Sequence, residues 1–436
     1  NIYVSPCPPF YSLPSLLLSC RSSQHLRAHY YFPLADKNLR GMKFSSFLLS
    51  SLLAAPGLVS AWLPEGKIRG VNLGGLFVVE PWMMQDEWNA MGCGGQPSEF
   101  DCVLKLGQSA ANTAFQAHWN RWITQADITE IKSLNLNTIR IPLGYWIYED
   151  LVYADSEHFP QGAFQYLERV CKWAKDAGLY IIIDLHGAPG AQQKYQPFTG
   201  QYSPNAGFYV DWQYERAYKW LEWMTNIIHT NTNFAQAGTI QLVNEPLQDG
   251  NTQGSMIQQY YPTAFSRIRA VESRLGVPSA KRLHIQMMNE KWGSGNPNAN
   301  IPDLTNAFYD DHHYVKWTPG VTVSRDGYMR HSCTDSRSGN WPVITGEWSL
   351  SVADSAEWNS EFTLDRADAV EWYRKWWAAQ FLSYEKIDGW VYWNWKVNWI
   401  AGRNDWRWGY KQGVDAGVIP KNPLDAYSWN ACAGFT

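Results

Sequence analysis

From Ile68 onward the chain alternates short apolar runs with longer segments of helical period, and this rhythm restricts the fold more than any other feature. The runs fall at 68–80, 137–146, 179–187, 239–246, 282–288, 307–315, 341–349 and 389–396, eight in all. Helical patterns occupy 124–134, 162–177, 211–230, 255–275 and 367–386. The first of these opens on Thr124 with Asp127 three residues later, and Gly178 and Gly276 close the second and fourth. Strands separated by helices pair in parallel, because a parallel neighbour is reached only by a long crossover. Eight such units predict an α/β fold, a (β/α)8 barrel forming a single catalytic domain. An open doubly wound sheet fits less well, since no G-x-G-x-x-G follows any of these strands. No repeat or composition break divides the stretch, so 62–436 reads as one domain, although length alone would allow two or three.

The segment before the barrel has a different character. Residues 42–61, MKFSSFLLSSLLAAPGLVSA, combine Lys43, an apolar run and a small-residue site at Val59-Ser60-Ala61, the pattern of a signal peptide. The run is short and interrupted by Ser, Pro and Gly, which disfavours a retained membrane anchor. A signal belongs at an extreme N-terminus, so Met42 reads as the start and residues 1–41 as an over-extended gene-model leader. Residues 1–61 carry five basic side chains and one acid, so their removal takes the net charge from −4 to −8. A secreted, extracellular or wall-associated protein, free of the membrane once its signal is removed, is the expectation. Five cysteines then remain, an odd number for an oxidising compartment. Cys93 and Cys102 flank the loop CGGQPSEFDC and are the first candidates for a bridge. Cys171, in FQYLERVCKWAKDAG, suits a buried small hydrophobe. The pairing of Cys171, Cys333 and Cys432 stays open. No Asn-x-Ser/Thr sequon occurs.

Charge and composition narrow the ligand. With 36 Lys+Arg against 40 Asp+Glu and no long basic run, nucleic acid is not an expected partner. The 25 Trp outnumber the 17 Phe, although each buried indole N–H needs an acceptor. Flat rings with a polar edge suit a ligand with apolar faces and a polar rim, such as a sugar.

A barrel of this class places its chemistry at the C-terminal ends of its strands. Those ends carry Glu80, Arg140, His186, Asn244 with Glu245, His312, Tyr314, Glu347, and Trp393 with Trp395. Glu245 and Glu347 lie 102 residues apart, three βα units of about 34 residues each, so both can reach one pocket. Paired carboxylates across a sugar cleft are the apparatus of glycoside hydrolysis. Arg140 is expected to hold Glu347 ionised, while an apolar, negatively charged setting favours the proton on Glu245. Trp393 and Trp395 alternate with Tyr392 and Asn394, which points both indoles the same way as a stacking floor; core packing is the equal alternative for Trp395. Asp310-Asp311-His312-His313 invites a metal, but alternation denies His312 and His313 a common face, and no metal or cofactor is expected. No G-x-S-x-G elbow and no H-E-x-x-H occurs.

The segments RGVNLGG…EPW, TIRIPLGYW, IIIDLHGAPGAQ, VNEP, TGEWS and GWVYWNWK resemble glycoside hydrolase family 5 of clan A, a retaining family with a (β/α)8 fold. Within it, MGCGGQPSEFDC, PFTGQY, IQMMNEKWGSG and YDDHHYVKW are most similar to fungal endo-1,6-β-glucanases. The resemblance implies Glu245 as acid/base and Glu347 as nucleophile. It further implies Asn244 at the sugar 2-hydroxyl, Arg140 and Tyr314 around the nucleophile, and His186 and His312 in the glycone site. Glu80 would be an acidic sugar contact and Trp393 the platform indole. A β-glucan of fungal cell-wall type would be the partner, bound by a monomer. An exo-β-1,3-glucanase of the same family is the alternative function, and a non-catalytic glucan-binding protein a weaker one.

Overall fold

The structure, a computed structural model, describes residues 63–435 apart from positions 65 and 401. The leader and signal segments at 1–41 and 42–61 lie outside the described residues. Eight parallel strands close into a barrel in sequence order: β1 (Ile68–Asn72), β2 (Thr138–Gly144), β3 (Tyr180–Gly187), β4 (Ala237–Gln241), β5 (His284–Met288), β6 (Ala307–His312), β7 (Val343–Glu347) and β8 (Gly389–Tyr392). Closure runs through Ile68↔Gly389 and Val71↔Tyr392. Among the described residues no helix is long and apolar enough to cross a membrane.

Strand alternation sorts side chains between two environments. In β3 Ile181, Ile183 and Leu185 join the large apolar layer between barrel and helices, whereas Tyr180 and Ile182 join a small cluster with Ile68, Phe308, Ile344 and Val391. The same inward phase continues up β3 and β6 as Asp184 and His186, and as Asp310 and His312. The barrel interior is thus apolar at one end and polar at the other, and the polar end carries the candidate site residues. Gly346 is required by this packing: a Cβ there would collide with the Asp310 carboxylate.

The helices begin and end where local chemistry dictates. Thr124 accepts from the Asp127 amide while the Asp127 carboxylate accepts from the Thr124 amide at 2.8 Å, a reciprocal cap that starts Gln125–Ser133. Gly178, at φ 66°, ends Phe164–Ala177 in the left-handed conformation that an L side chain resists. Disulfides join Cys93 to Cys102 and Cys333 to Cys432, and Cys171 is buried and free.

Three expectations need correction. β1 ends at Asn72, not at residue 80, because Gly74 and Gly75 turn the chain, Gly75 at φ 73°; Glu80 is therefore delivered by a loop. Arg140 is the third residue of β2 and not its end, and reaches the site through the length of its side chain. The ladder of β8 stops at Tyr392, so alternation no longer governs Trp393 and Trp395.

Candidate active site

Arg140 organises the floor of the site. Fully buried, it donates from Nε to Gln241 Oε1 at 2.9 Å, and from Nη1 to Asn72 Oδ1 and Glu347 Oε1, each at 2.9 Å. Its Nη2 donates to Asn244 Oδ1 at 2.8 Å and lies 3.0 Å from Asp184. A guanidinium out of water tolerates burial only when its donors are matched and its charge balanced, and Asp184, Glu347 and Asp310 supply that balance.

Glu347 closes β7 with both oxygens engaged, Oε1 by Arg140 and Oε2 by the Tyr314 hydroxyl at 2.9 Å. Burial pushes its carboxyl above the ordinary range, His312 and Arg140 pull it down, and nearby Glu245 pushes it up again. Arg140 therefore counters the burial of Glu347 without reversing it. Burial, then Glu347 and Glu245, also raise the Tyr314 phenol well above its usual value, so this hydroxyl stays a donor.

Glu245 follows β4 in a left-handed backbone conformation, φ 41°, which aims its side chain into the cleft. The Gln193 side chain holds its carbonyl at 2.9 Å. Its Oε1 meets His312 Nδ1 at 2.7 Å, and the same nitrogen lies 3.5 Å from Glu347 Oε2. One carboxylate oxygen from each acid and a nitrogen of His312 all lie within 4.8 Å of one another. Burial alone would lower the His312 pKa, but Glu347 and Asp310 outweigh it and raise it well above the usual imidazole value. His312 therefore bridges the acids as a cation, with Nε2 3.2 Å from Asp310 Oδ2.

These groups open into a cleft of about 640 Å³. Glu80, His186, Asn244, Glu245, Tyr314, Glu347 and Trp393 line it, while Arg140 and His312 support it from beneath. His186 bonds Asp184 Oδ2 through Nδ1 at 2.7 Å, and its ring lies parallel to Trp393 with centroids 5.6 Å apart. Burial, countered by the Trp82 N–H bond at 2.8 Å and reinforced by Glu347 and Glu245, pushes Glu80 up to about 8. Trp395 is not brought to the cleft: fully buried, it donates from Nε1 to Asp127 Oδ1 at 2.9 Å, against the helix Gln125–Ser133. Its polar edge is consumed by the fold, leaving Trp393 as the cleft indole of the pair.

Sequence reasoning missed several lining residues: Trp82, Phe198, Trp292, Trp317, Ile400 and Trp408, with Lys316, Asp354 and Glu357 among the charged ones. Trp82 and Trp408 pack edge to face at 5.0 Å, and Lys316 pairs with Asp354 at 2.6 Å. They lie on loops and short 3-10 turns beyond strand ends, where no periodicity marks direction; the excess of Trp, and the segments EPW, PFTGQY, IQMMNEKWGSG and YDDHHYVKW that contain Trp82, Phe198, Trp292, Lys316 and Trp317, were the signals available.

The family model described as Cellulase (glycosyl hydrolase family 5) matches residues 103–398. A protein of Emericella nidulans named glucan endo-1,6-beta-glucosidase B is 57% identical over 85% of this chain and 90% of its own. A glucan 1,3-beta-glucosidase 2 of Wickerhamomyces anomalus is 27% identical over 82% of this chain and 88% of its own. Among solved structures, the rutinosidase from Aspergillus niger superposes with a TM-score of 0.62 at 22% identity, over 81% of this chain and 98% of that one. That likeness concerns the fold.

Proposed function

The chain belongs to glycosyl hydrolase family 5 and is a glycosidase, and from that premise we propose that it hydrolyses internal β-1,6-glucosidic bonds of a glucan with retention of configuration. The observation that carries the mechanism is the closeness of the two acids, with an oxygen of each within 4.8 Å. Retaining enzymes hold their carboxyls roughly 5–5.5 Å apart, whereas inverting ones leave about 6.5–9.5 Å for a water. Glu347, fixed through both oxygens, attacks the anomeric carbon as Glu245 protonates the departing C6 oxygen. Glu245 then takes a proton from water, which displaces Glu347 from the sugar and restores both acids. Arg140 and Tyr314 orient the nucleophile, and His312 ties the acids together. Trp393 offers a face to the sugar, with Asn244, His186 and Glu80 at its hydroxyls.

The linkage rests on the relatives: those of higher identity carry the endo-1,6 name, and those named 1,3-beta-glucosidases are more distant. Secretion rests on the reading of residues 42–61, and action as a monomer accompanies it. Product analysis on pustulan, laminarin and cellulose tests the function. Mixed gentio-oligosaccharides from pustulan alone are expected, and glucose from laminarin alone would overturn the proposal in favour of exo-1,3 action.

A further inference from the structure

On the outer side of β6, away from His312, three ligand-type atoms converge. His313 follows the last residue of β6 and is held by its amide, which donates to the Glu347 carbonyl at 2.9 Å. His331 and Asp335 stand four residues apart at the end of the helix Arg325–Thr334, a spacing that puts them on one face. His313 Nε2 and His331 Nε2 lie 3.1 Å apart, and Asp335 Oδ2 lies 3.7 Å from the first and 3.9 Å from the second. A hydrogen-bonded His pair accounts for only one of these separations, because it leaves the carboxylate beyond bonding distance of both rings. A tetrahedral zinc ion with bonds of about 2.0–2.1 Å spaces its ligands about 3.3 Å apart, which the three separations bracket.

We propose that His313, His331 and Asp335 form a binding site for a divalent transition metal of the zinc class, separate from the glucan cleft. The surroundings supply what such a site needs. His313 Nδ1 lies 3.0 Å from the Tyr384 hydroxyl, which fixes the ring and leaves Nε2 for the ion. Thr318 Oγ1, 3.3 Å from His313 Nε2, stands near the remaining coordination position, which it or water completes. His331 and Asp335 are 20% and 17% exposed, so an ion can enter from solvent. Arg337 opposes a cation, with Nη1 3.4 Å from Asp335 Oδ2, but Asp311 neutralises it through bonds of 2.6 and 2.9 Å. The Cys333–Cys432 disulfide anchors the same helical turn. A bound ion would clasp that turn to the end of β6, one residue from His312.

The test uses tag-free full-length protein, stripped with a chelator and titrated with Zn²⁺ by calorimetry, beside His331→Ala and Asp335→Asn. The expected result is one Zn²⁺ per parent chain with a rise in melting temperature. Each variant should bind more weakly by at least the roughly 10–100-fold that loss of an outer hydrogen-bond partner costs. Both positions are partly exposed, and circular dichroism checks that each variant is folded. Should one fail to fold, the other decides. A parent that binds no Zn²⁺, or stoichiometric binding that survives both substitutions and so belongs to the Glu245, His312 and Glu347 cluster, would overturn the proposal.

Discussion

Replacing Tyr314 by Phe removes one oxygen and isolates what the hydroxyl does for the charge on Glu347, the proposed nucleophile. The lost hydroxyl donates to Glu347 Oε2 at 2.9 Å, while Arg140 still holds Oε1. A hydrogen bond to a charged group contributes about 1.5–3 kcal/mol, and this one favours only the ionised carboxylate. One pKa unit corresponds to about 1.4 kcal/mol, so losing the donor should raise the carboxyl by about 1–2 units. Below its pKa Glu347 is protonated and cannot attack, so the acidic limb of the kcat/KM profile on pustulan should move to higher pH by that amount. The displacement of the limb, not its absolute position, is the readout. Activity should fall most at acidic pH, with little change in melting temperature. An acidic limb that stays in place, with activity lowered equally at every pH, would show that the Tyr314 hydroxyl does not stabilise the charge on Glu347.

Other perturbations separate neighbouring roles. Glu245→Ala should lose about 10²–10⁴-fold in hydrolysis of pustulan, and on a dinitrophenyl β-gentiobioside, whose phenolate departs without a proton, added azide should raise turnover with a β-glycosyl azide as product, identified by mass spectrometry and NMR. Trp393→Ala should raise KM for pustulan by about tenfold, the equivalent of about 1.4 kcal/mol of lost stacking. Trp395→Phe should leave kcat/KM near the parent value yet lower the melting temperature, because its bond to Asp127 is lost in the core, at a cost of about 1–3 kcal/mol. Burial, against the Val79 amide bond, pushes Glu99 up to about 8, above its unfolded value. A carboxyl protonated when folded and ionised when unfolded opposes folding increasingly as pH rises between those values. Glu99→Gln should therefore reduce the fall in melting temperature between about pH 5 and about pH 8, measured by calorimetry.

The strand order and the places of the two acids were legible because both follow from local pattern. Every barrel strand is buried along nearly its whole length and most read as apolar runs, while Thr124 with Asp127 and Gly178 mark helix ends through their own chemistry. The helix Gln108–Arg121 escaped notice because Ala111, Phe115 and Trp119 form only a sparse apolar stripe among polar residues. The helix Arg325–Thr334 is likewise poor in aliphatic side chains and is positioned by tertiary packing and the Cys333–Cys432 bridge. The different fates of Trp393 and Trp395 depend on where β8 stops, a boundary that period-two reasoning cannot locate. Trp82, Trp292 and Trp408 reach the cleft through loops whose course is set by distant contacts, such as Trp292 Nε1 donating to the Pro246 carbonyl at 3.3 Å.

The most direct test of the account is a proton NMR time course of pustulan hydrolysis, recording which anomer of the new reducing ends appears first. Attack by Glu347 and release by Glu245-activated water predict the β-anomer first on gentio-oligosaccharide products, with the α-anomer growing in only by mutarotation. Initial release of the α-anomer, or no new reducing ends from pustulan, would contradict it.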